Sequence, residues 1–119
     1  MKNFRKLNVW KNAHDLTLRL YQITSSFPDN ERYGLISQIR RACVSIPTNI
    51  AEGCGRNSDA ELSRFLQIAL GSASEIEYLI LLSSELKLID QDLSPDLNSK
   101  IQEIKRMLTS FIKKLKADR

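Results

Sequence analysis

Apolar residues recur at alternating steps of three and four in four stretches of this chain, and this spacing constrains its fold more than any other feature. Such steps place side chains on one face of an α-helix. The sets are Val9, Ala13, Leu16, Leu20, Ile23 and Phe27; Ile36, Ile39, Cys43, Ile46 and Ile50; Leu62, Phe65, Ala69, Ser72, Ile76, Leu79 and Leu86; and Leu97, Ile101, Ile104, Leu108, Phe111 and Leu115. We predict four amphipathic helices over about 8–26, 32–53, 59–87 and 95–116.

Proline and glycine mark the ends of the first two helices. Pro28 disfavours helix at the residue before it, so the first helix ends near Phe27. Pro47 lies inside the second pattern, where it removes one backbone donor and predicts a kink. The glycines in 53–55 predict a left-handed residue that ends the second helix.

Serine caps predict the starts of the other two helices. Ser58 with Glu61 three residues later fits a capping box, in which each side chain binds a backbone amide of the other. Ser94 followed by Pro95 predicts a serine cap with proline at the first helical position.

The chain of 119 residues suits one domain, 1–119, because a second core of useful size would not fit. Four amphipathic helices with short loops pack best as an antiparallel up-and-down four-helix bundle, which makes the fold class all-α. The small residues of 71–74 would allow another helix to approach closely, and Ile80, Leu81 and Leu82 widen the apolar face of the third helix.

Positive charge is concentrated in the first half. The net charge is +4, but residues 1–56 carry nine Lys/Arg against four Asp/Glu, whereas 57–119 carry nine against ten. A basic half is compatible with a nucleic-acid partner and equally with an ordinary soluble surface. No signal peptide or long apolar run is visible, and two unpaired cysteines match no redox motif. We expect a cytoplasmic protein with no membrane partner.

A band of polar residues follows the second helix beside its apolar face. It is formed by Gln38, Arg41, Ser45, Asn49, Glu52 and Arg56, which fall within about 80° around the helix. We call this set the polar stripe; Arg40 lies on the opposite flank. The stripe is either a solvated face, a partly buried network between helices or subunits, a pore lining, or a groove whose arginines hold phosphates.

Catalytic chemistry has little support in the sequence. His14, the only histidine, is predicted on the surface, and Cys43 lies on an apolar face. Glu75 and Glu77 are two residues apart and do not face each other on a helix, and no metal-ligand spacing or phosphate loop occurs. Trp10 is interpreted as a packing anchor rather than a base-stacking platform. We expect no enzyme, no cofactor and no metal.

The sequence resembles, almost end to end, the four-helix-bundle proteins of intervening sequences in bacterial large-subunit rRNA genes. The most specific piece is Asn49-Ile50-Ala51-Glu52-Gly53 followed by Arg56. Other resembling residues are Phe4, Leu7, Val9-Trp10, Tyr21, Thr24, Phe27-Pro28, Glu31, Tyr33-Gly34-Leu35, Gln38, Arg40-Arg41-Ala42, Ser45-Ile46-Pro47, Phe65-Leu66, Ile68-Ala69, Gly71-Ser72 and Glu75-x-Glu77. The final helix matches only in its apolar periodicity.

The resemblance implies a left-handed bundle that assembles as a homopentamer. The chain is also similar to the accessory variability determinant of diversity-generating retroelements, which associates with a reverse transcriptase and nucleic acid. We therefore expect a homo-oligomeric binding protein for nucleic acid, with RNA favoured over DNA and with phosphate contacts from Arg40, Arg41 and Arg56. The alternative is an adaptor for a protein such as a reverse transcriptase.

Overall fold

A computed structural model of the chain describes residues 2–118, so Met1 and Arg119 of the predicted domain lie outside the described residues. It contains four α-helices: α1 (Asn8–Thr24), α2 (Ser37–Cys54), α3 (Asp59–Glu85) and α4 (Ser94–Ala117). Short 3₁₀ turns at Phe4–Lys6 and Asp29–Glu31 and a π-helical turn at Arg32–Ile36 precede α1 and α2. The all-α fold class is confirmed, and residues 2–118 contain no β-strand.

The helices pack side by side around one core, inside a molecule of 47 × 24 × 20 Å. α2 packs most extensively against α3 and also against α1, while α4 packs against α3 and α1. This arrangement is that of a four-helix bundle. The left-handed sense of the bundle stays a prediction.

The predicted apolar faces are buried or half-buried in the core, and one residue on α3 is exposed instead. Leu20, Ile46, Ile76 and Leu108 are examples of predicted core residues that are fully buried, one on each helix. Leu86 is instead exposed, because α3 ends there and Lys87 takes a left-handed backbone with φ 63°. Ser83 is fully buried one turn earlier, and its hydroxyl has no partner among the described residues.

The second helix begins later than predicted. Its α-helical hydrogen bonding starts at Ser37 rather than near residue 32, because Gly34 has a backbone (φ −108°, ψ −108°) outside the helical region. The first helix ends at Thr24, two residues before the predicted end.

Capping agrees with the prediction at one helix start and differs at the other. The Ser58 hydroxyl accepts a hydrogen bond from the backbone N–H of Glu61 at 3.2 Å, as the capping box requires. The reciprocal bond from the Glu61 side chain is not made among the described residues. α4 begins at Ser94 itself, with Leu93 before it and no side-chain cap, so the prediction of a Ser94 cap was wrong.

The glycines at the end of α2 do not stop the helix in the predicted way. Gly55 has φ −83° and no described glycine has a positive φ. Gly53 instead allows close packing of α2 on α3, since a Cβ there would lie 2.8 Å from Leu62 Cδ1 and 3.0 Å from Phe65 Cβ. A larger residue at position 53 would push the two helices apart.

Pro47 leaves a backbone carbonyl of α2 without its helical donor, and a hydroxyl of α1 takes the donor's place. It lies inside α2 and is buried, and it has no N–H to donate to the carbonyl of Cys43 four residues earlier. The Thr17 hydroxyl of α1 lies 3.0 Å from that carbonyl oxygen and 2.8 Å from the carbonyl of Ala13, so its one proton is shared. An orphaned acceptor in the core is thereby satisfied by a neighbouring helix.

By length and composition alone, α3 is apolar enough to cross a membrane. A core helix of a bundle passes the same test, and α3 contributes ten buried residues to the packing against its neighbours.

Replacing Thr17 tests the connection between α1 and α2. We expect Thr17→Val to lower the free energy of unfolding by about 1–3 kcal/mol, because the Cys43 carbonyl would be buried without a donor. In a Pro47→Ala background the restored backbone N–H reaches that carbonyl, so the same change costs about 1 kcal/mol less. Chemical denaturation of the four proteins of this double-mutant cycle measures the coupling. Equal costs in both backgrounds would show that Thr17 does not compensate for Pro47.

Candidate nucleic-acid interface

The middle of the polar stripe is a hydrogen-bonded cluster at the contact between α2 and α3. Asn49 donates its side-chain amide to the Ser45 carbonyl at 2.8 Å and to the Ser45 hydroxyl at 3.0 Å. The Ser45 hydroxyl lies 2.8 Å from the hydroxyl of Ser72 on α3. All three side chains are half-buried, so this part of the stripe joins two helices of one chain.

The remaining stripe residues are on the surface. Gln38 and Arg41 are exposed near the start of α2. Glu52 and Arg56 are exposed at its other end and form an ion pair of 3.9 Å. The Arg56 guanidinium also lies over the ring of Phe65, 4.9 Å from its centroid. Arg41 and Arg56 can therefore reach a partner in solvent.

Arg40 is directed toward α1 rather than toward solvent. Its guanidinium donates to the Thr24 hydroxyl at 3.0 Å, the Tyr21 carbonyl at 3.3 Å and the Ser25 hydroxyl at 3.4 Å. It also lies 4.6 Å from the centroid of the Tyr21 ring. Arg40 thus donates to acceptors at the C-terminal end of α1, where a cation is favourable. Arg40 lies near the start of α2 and Arg56 follows its end, so the two arginines are far apart along the bundle.

An aromatic groove lies between α1 and α2, and it was not predicted from the sequence. The rings of Trp10 and His14 are stacked with centroids 4.9 Å apart and an interplanar angle of 7°. Phe4 meets Trp10 edge-on at 4.9 Å. These rings line an open groove of about 590 Å³, together with Thr17, Val44, Pro47, Thr48, Ala51 and Glu52. The spacing of Trp10 and His14, one helical turn apart, is the sequence signal that could have indicated the stacked pair.

Glu75 and Glu77 on α3 have different surroundings. Glu75 is exposed, whereas Glu77 accepts hydrogen bonds from Lys105 Nζ at 2.7 Å and Gln102 Nε2 at 2.6 Å on α4. The bond from Lys105, helped by that from Gln102, holds the pKa of Glu77 below its usual value against the opposing effect of burial. Glu77 therefore joins two helices.

No group of three or more potential metal-ligating side chains occurs within residues 2–118. Both cysteines are buried. Burial raises the pKa of the Cys43 thiol to about 11, and the Thr17 side chain opposes this shift. The thiol is therefore protonated at neutral pH and belongs to the core.

Comparison with known proteins agrees with the sequence resemblance. A family model described as 23S rRNA-intervening sequence protein matches residues 5–110. A crystal structure from Bacteroides thetaiotaomicron VPI-5482, of a protein with unknown function from the S23 ribosomal protein family, has a TM-score of 0.79 and 28% sequence identity. The similarity covers 88% of this chain and 98% of that one. No curated protein matches the chain.

Removing the central hydroxyl of the Ser45 cluster should lower the stability of the fold. We expect Ser45→Ala to lower the free energy of unfolding by about 1–2 kcal/mol, because Asn49 and Ser72 lose a half-buried partner. Ser74→Ala is the matched control, since Ser74 is an exposed serine within α3. Urea unfolding of both variants separates the missing hydrogen bonds from the gain in helix propensity. Equal midpoints would show that the cluster does not stabilise the fold.

The bond between Glu77 and Lys105 predicts a pH dependence. We expect Glu77→Gln to lower the free energy of unfolding at pH 7 by up to about 1 kcal/mol, since the pair is partly exposed and solvent weakens it. Because the folded pKa of Glu77 is lowered, its contribution is present above the unfolded pKa of about 4.3 and is lost as the pH falls through the folded value. Unfolding curves should converge with wild type at acidic pH. The unfolding curves of a Glu75→Gln control should follow those of wild type at every pH, because Glu75 is exposed.

Proposed function

The chain belongs to the 23S rRNA-intervening sequence protein family, and from this premise we propose that it is a non-catalytic, homo-oligomeric bundle that binds nucleic acid, with RNA the favoured ligand. The observation that carries the proposal is the excess of five positive charges in residues 1–56, which include the exposed Arg41 on α2 and the exposed Arg56 just after it. Exposed arginines bind phosphate oxygens in a bidentate manner without needing a particular base sequence.

The homo-oligomer is supported by apolar side chains that the bundle leaves in solvent. Tyr78 and Leu81 on α3 are 57% and 53% exposed, and Ile68 on the same helix is 42% exposed. Exposed apolar patches mark interaction surfaces, and a second copy is the simplest partner. Five subunits follow from the family resemblance, and light scattering of the purified protein would measure the number.

The second candidate function is a protein adaptor, for which the aromatic groove is the supporting observation. A groove lined by Phe4, Trp10 and Val44 suits an apolar segment of an enzyme such as a reverse transcriptase. Trp10 is the only tryptophan in the sequence, so its emission reports occupation of the groove directly. A pull-down from the native host that recovers the protein alone would count against the adaptor.

The non-catalytic part of the proposal has its own test. A nuclease would cleave RNA in the presence of a divalent metal, and Glu75→Gln or Glu77→Gln would abolish that cleavage. We expect intact RNA after prolonged incubation of the pure protein with magnesium or manganese.

Removing two arginines tests the nucleic-acid proposal. We expect wild type to bind structured RNA with an affinity that falls linearly in log salt, as phosphate contacts require. Arg41→Ala combined with Arg56→Ala should bind more weakly, with a slope shallower by about 0.9 for each phosphate that is no longer bound. Arg19→Ala with Arg106→Ala removes the same charge elsewhere and serves as the control. Fluorescence anisotropy measures binding, and light scattering should give an unchanged mass.

Two results would refute parts of this proposal. Absence of binding even at low salt would remove the nucleic-acid function and leave the adaptor as the leading candidate. Disassembly of the double variant would assign these arginines to contacts between subunits.

A further inference from the structure

One end of each of the four helices lies at the same end of the bundle. The backbone N–H of Lys2 donates to the carbonyl of Cys54 at 2.9 Å, which joins the segment before α1 to the end of α2. A cavity of about 430 Å³ is lined by Lys2, Leu7, Asp59, Phe111 and Lys114, among others, which adds the start of α3 and the end of α4. These contacts are those that an up-and-down order produces.

The charge at this end is strongly positive. The segments 2–11, 52–64 and 110–118 contain nine Lys and Arg against four Asp and Glu, a net charge of +5. The nine are Lys2, Arg5, Lys6, Lys11, Arg56, Arg64, Lys113, Lys114 and Lys116, all of which are exposed. We call them the basic pole.

The opposite end of the bundle has the opposite sign. α3 has 27 residues and is therefore about 40 Å long, which places its end and the start of α4 far from the basic pole. The connecting segments there, 24–38 and 83–100, contain six Asp and Glu against three Lys and Arg, a net charge of −3. The charge is thus separated along the 47 Å axis rather than between the halves of the sequence.

Three arginines of the basic pole are held in place by aromatic rings. The guanidinium of Arg5 lies 4.7 Å from the centroid of the Phe4 ring. The guanidinium groups of Arg56 and Arg64 both lie over the ring of Phe65, at 4.9 and 4.7 Å. Cation–π contacts of this kind restrict the side chains while they stay exposed to solvent. A ligand that binds them therefore loses less side-chain entropy than it would with unrestrained arginines.

We infer that the basic pole, rather than the polar stripe, is the surface that binds the phosphodiester backbone of nucleic acid; this rests on the proposed function. Its nine cations come from three segments of the chain at an end of the bundle about 20 Å across, and a set of cations from separate segments matches a line of phosphates better than a single small anion. The polar stripe has fewer groups free to bind phosphate, because Arg40 beside it is bound to α1 and Ser45 and Asn49 are bound to each other.

Two triple variants of equal net charge test this inference. The pole variant combines Arg5→Gln, Arg64→Gln and Lys114→Gln, which come from three different segments of the basic pole. The control combines Arg19→Gln, Arg32→Gln and Arg106→Gln, which are exposed on α1, in the turn before α2 and on α4, away from the pole. Arg41→Gln alone tests the stripe, because Arg41 is the stripe arginine outside the pole. Anisotropy titrations with a labelled single-stranded RNA and a labelled DNA duplex are run across a salt series.

We expect the pole variant to bind at least about tenfold more weakly near 0.1 M salt, with a log–log salt slope shallower by about 2–3, since up to three phosphates are no longer neutralised. The control should bind within about twofold of wild type. Circular dichroism and thermal unfolding establish that both variants fold. If the pole variant does not fold, Lys114→Gln alone, in the exposed last turn of α4, should reduce the slope by about 0.7–0.9.

The other outcomes overturn the inference in distinguishable ways. If wild type binds and both triple variants weaken equally, net charge rather than the pole governs binding, and the proposed function stands without this site. If the control or Arg41→Gln weakens binding and the pole variant does not, the site lies away from the pole. If the pole variant loses both binding and subunit mass, the pole is a contact between copies. If wild type binds neither ligand, the proposed function and the inference both fail.

Discussion

The carbonyl oxygen of Cys43 has lost its helical partner to Pro47, and it accepts the hydroxyl of Thr17 instead. This bond fixes α1 against α2 at a defined height, because only one hydroxyl on α1 can reach that carbonyl. Apolar packing alone would tolerate a small slide of one helix along the other. The positions of Trp10 and His14 relative to Val44, and hence the aromatic groove, depend on this registration.

The other side of α2 is positioned by small residues. Gly53 lets the backbone approach Leu62 and Phe65 of α3, and Ser45 meets Ser72 further along the same contact. The ring of Phe65 is consequently held beside the end of α2, where it orders Arg56. A close helix contact in the core thus determines the geometry of a charged surface outside it.

The periodicity of apolar residues predicted the four helices because burial of one face is a local property of each segment. The exceptions depend on contacts between segments. Gly53 was interpreted as a stop signal because its contact with α3 cannot be read from the residues next to it in the sequence. Leu86, the last residue of the α3 pattern, is exposed because the helix ends at Glu85 and the left-handed backbone at Lys87 turns the chain.

The candidate site shows the same division more clearly. Angles around one helix placed Gln38 to Arg56 in one group, but they could not show that Arg40 would bind the end of α1. The charge count along the sequence indicates a basic half, whereas the structure has a basic end, to which Lys114 and its neighbours in the second half contribute. Only the packing of the end of α4 beside the start of α1 brings these cations close to those of residues 2–11.

Helix dipoles do not account for the charge of the basic pole. Two helices begin there and two end there, so their macrodipoles oppose each other and the side chains decide the sign. Asp59 and Glu61 lie in the first turn of α3, where negative charge is favourable, and Lys114 and Lys116 lie in the last turn of α4. The cations that exceed these local requirements repel one another and raise the free energy of the folded state. A polyanion relieves that repulsion on binding, which adds to the affinity of every phosphate contact and makes the pole more favourable in a complex than in the isolated protein.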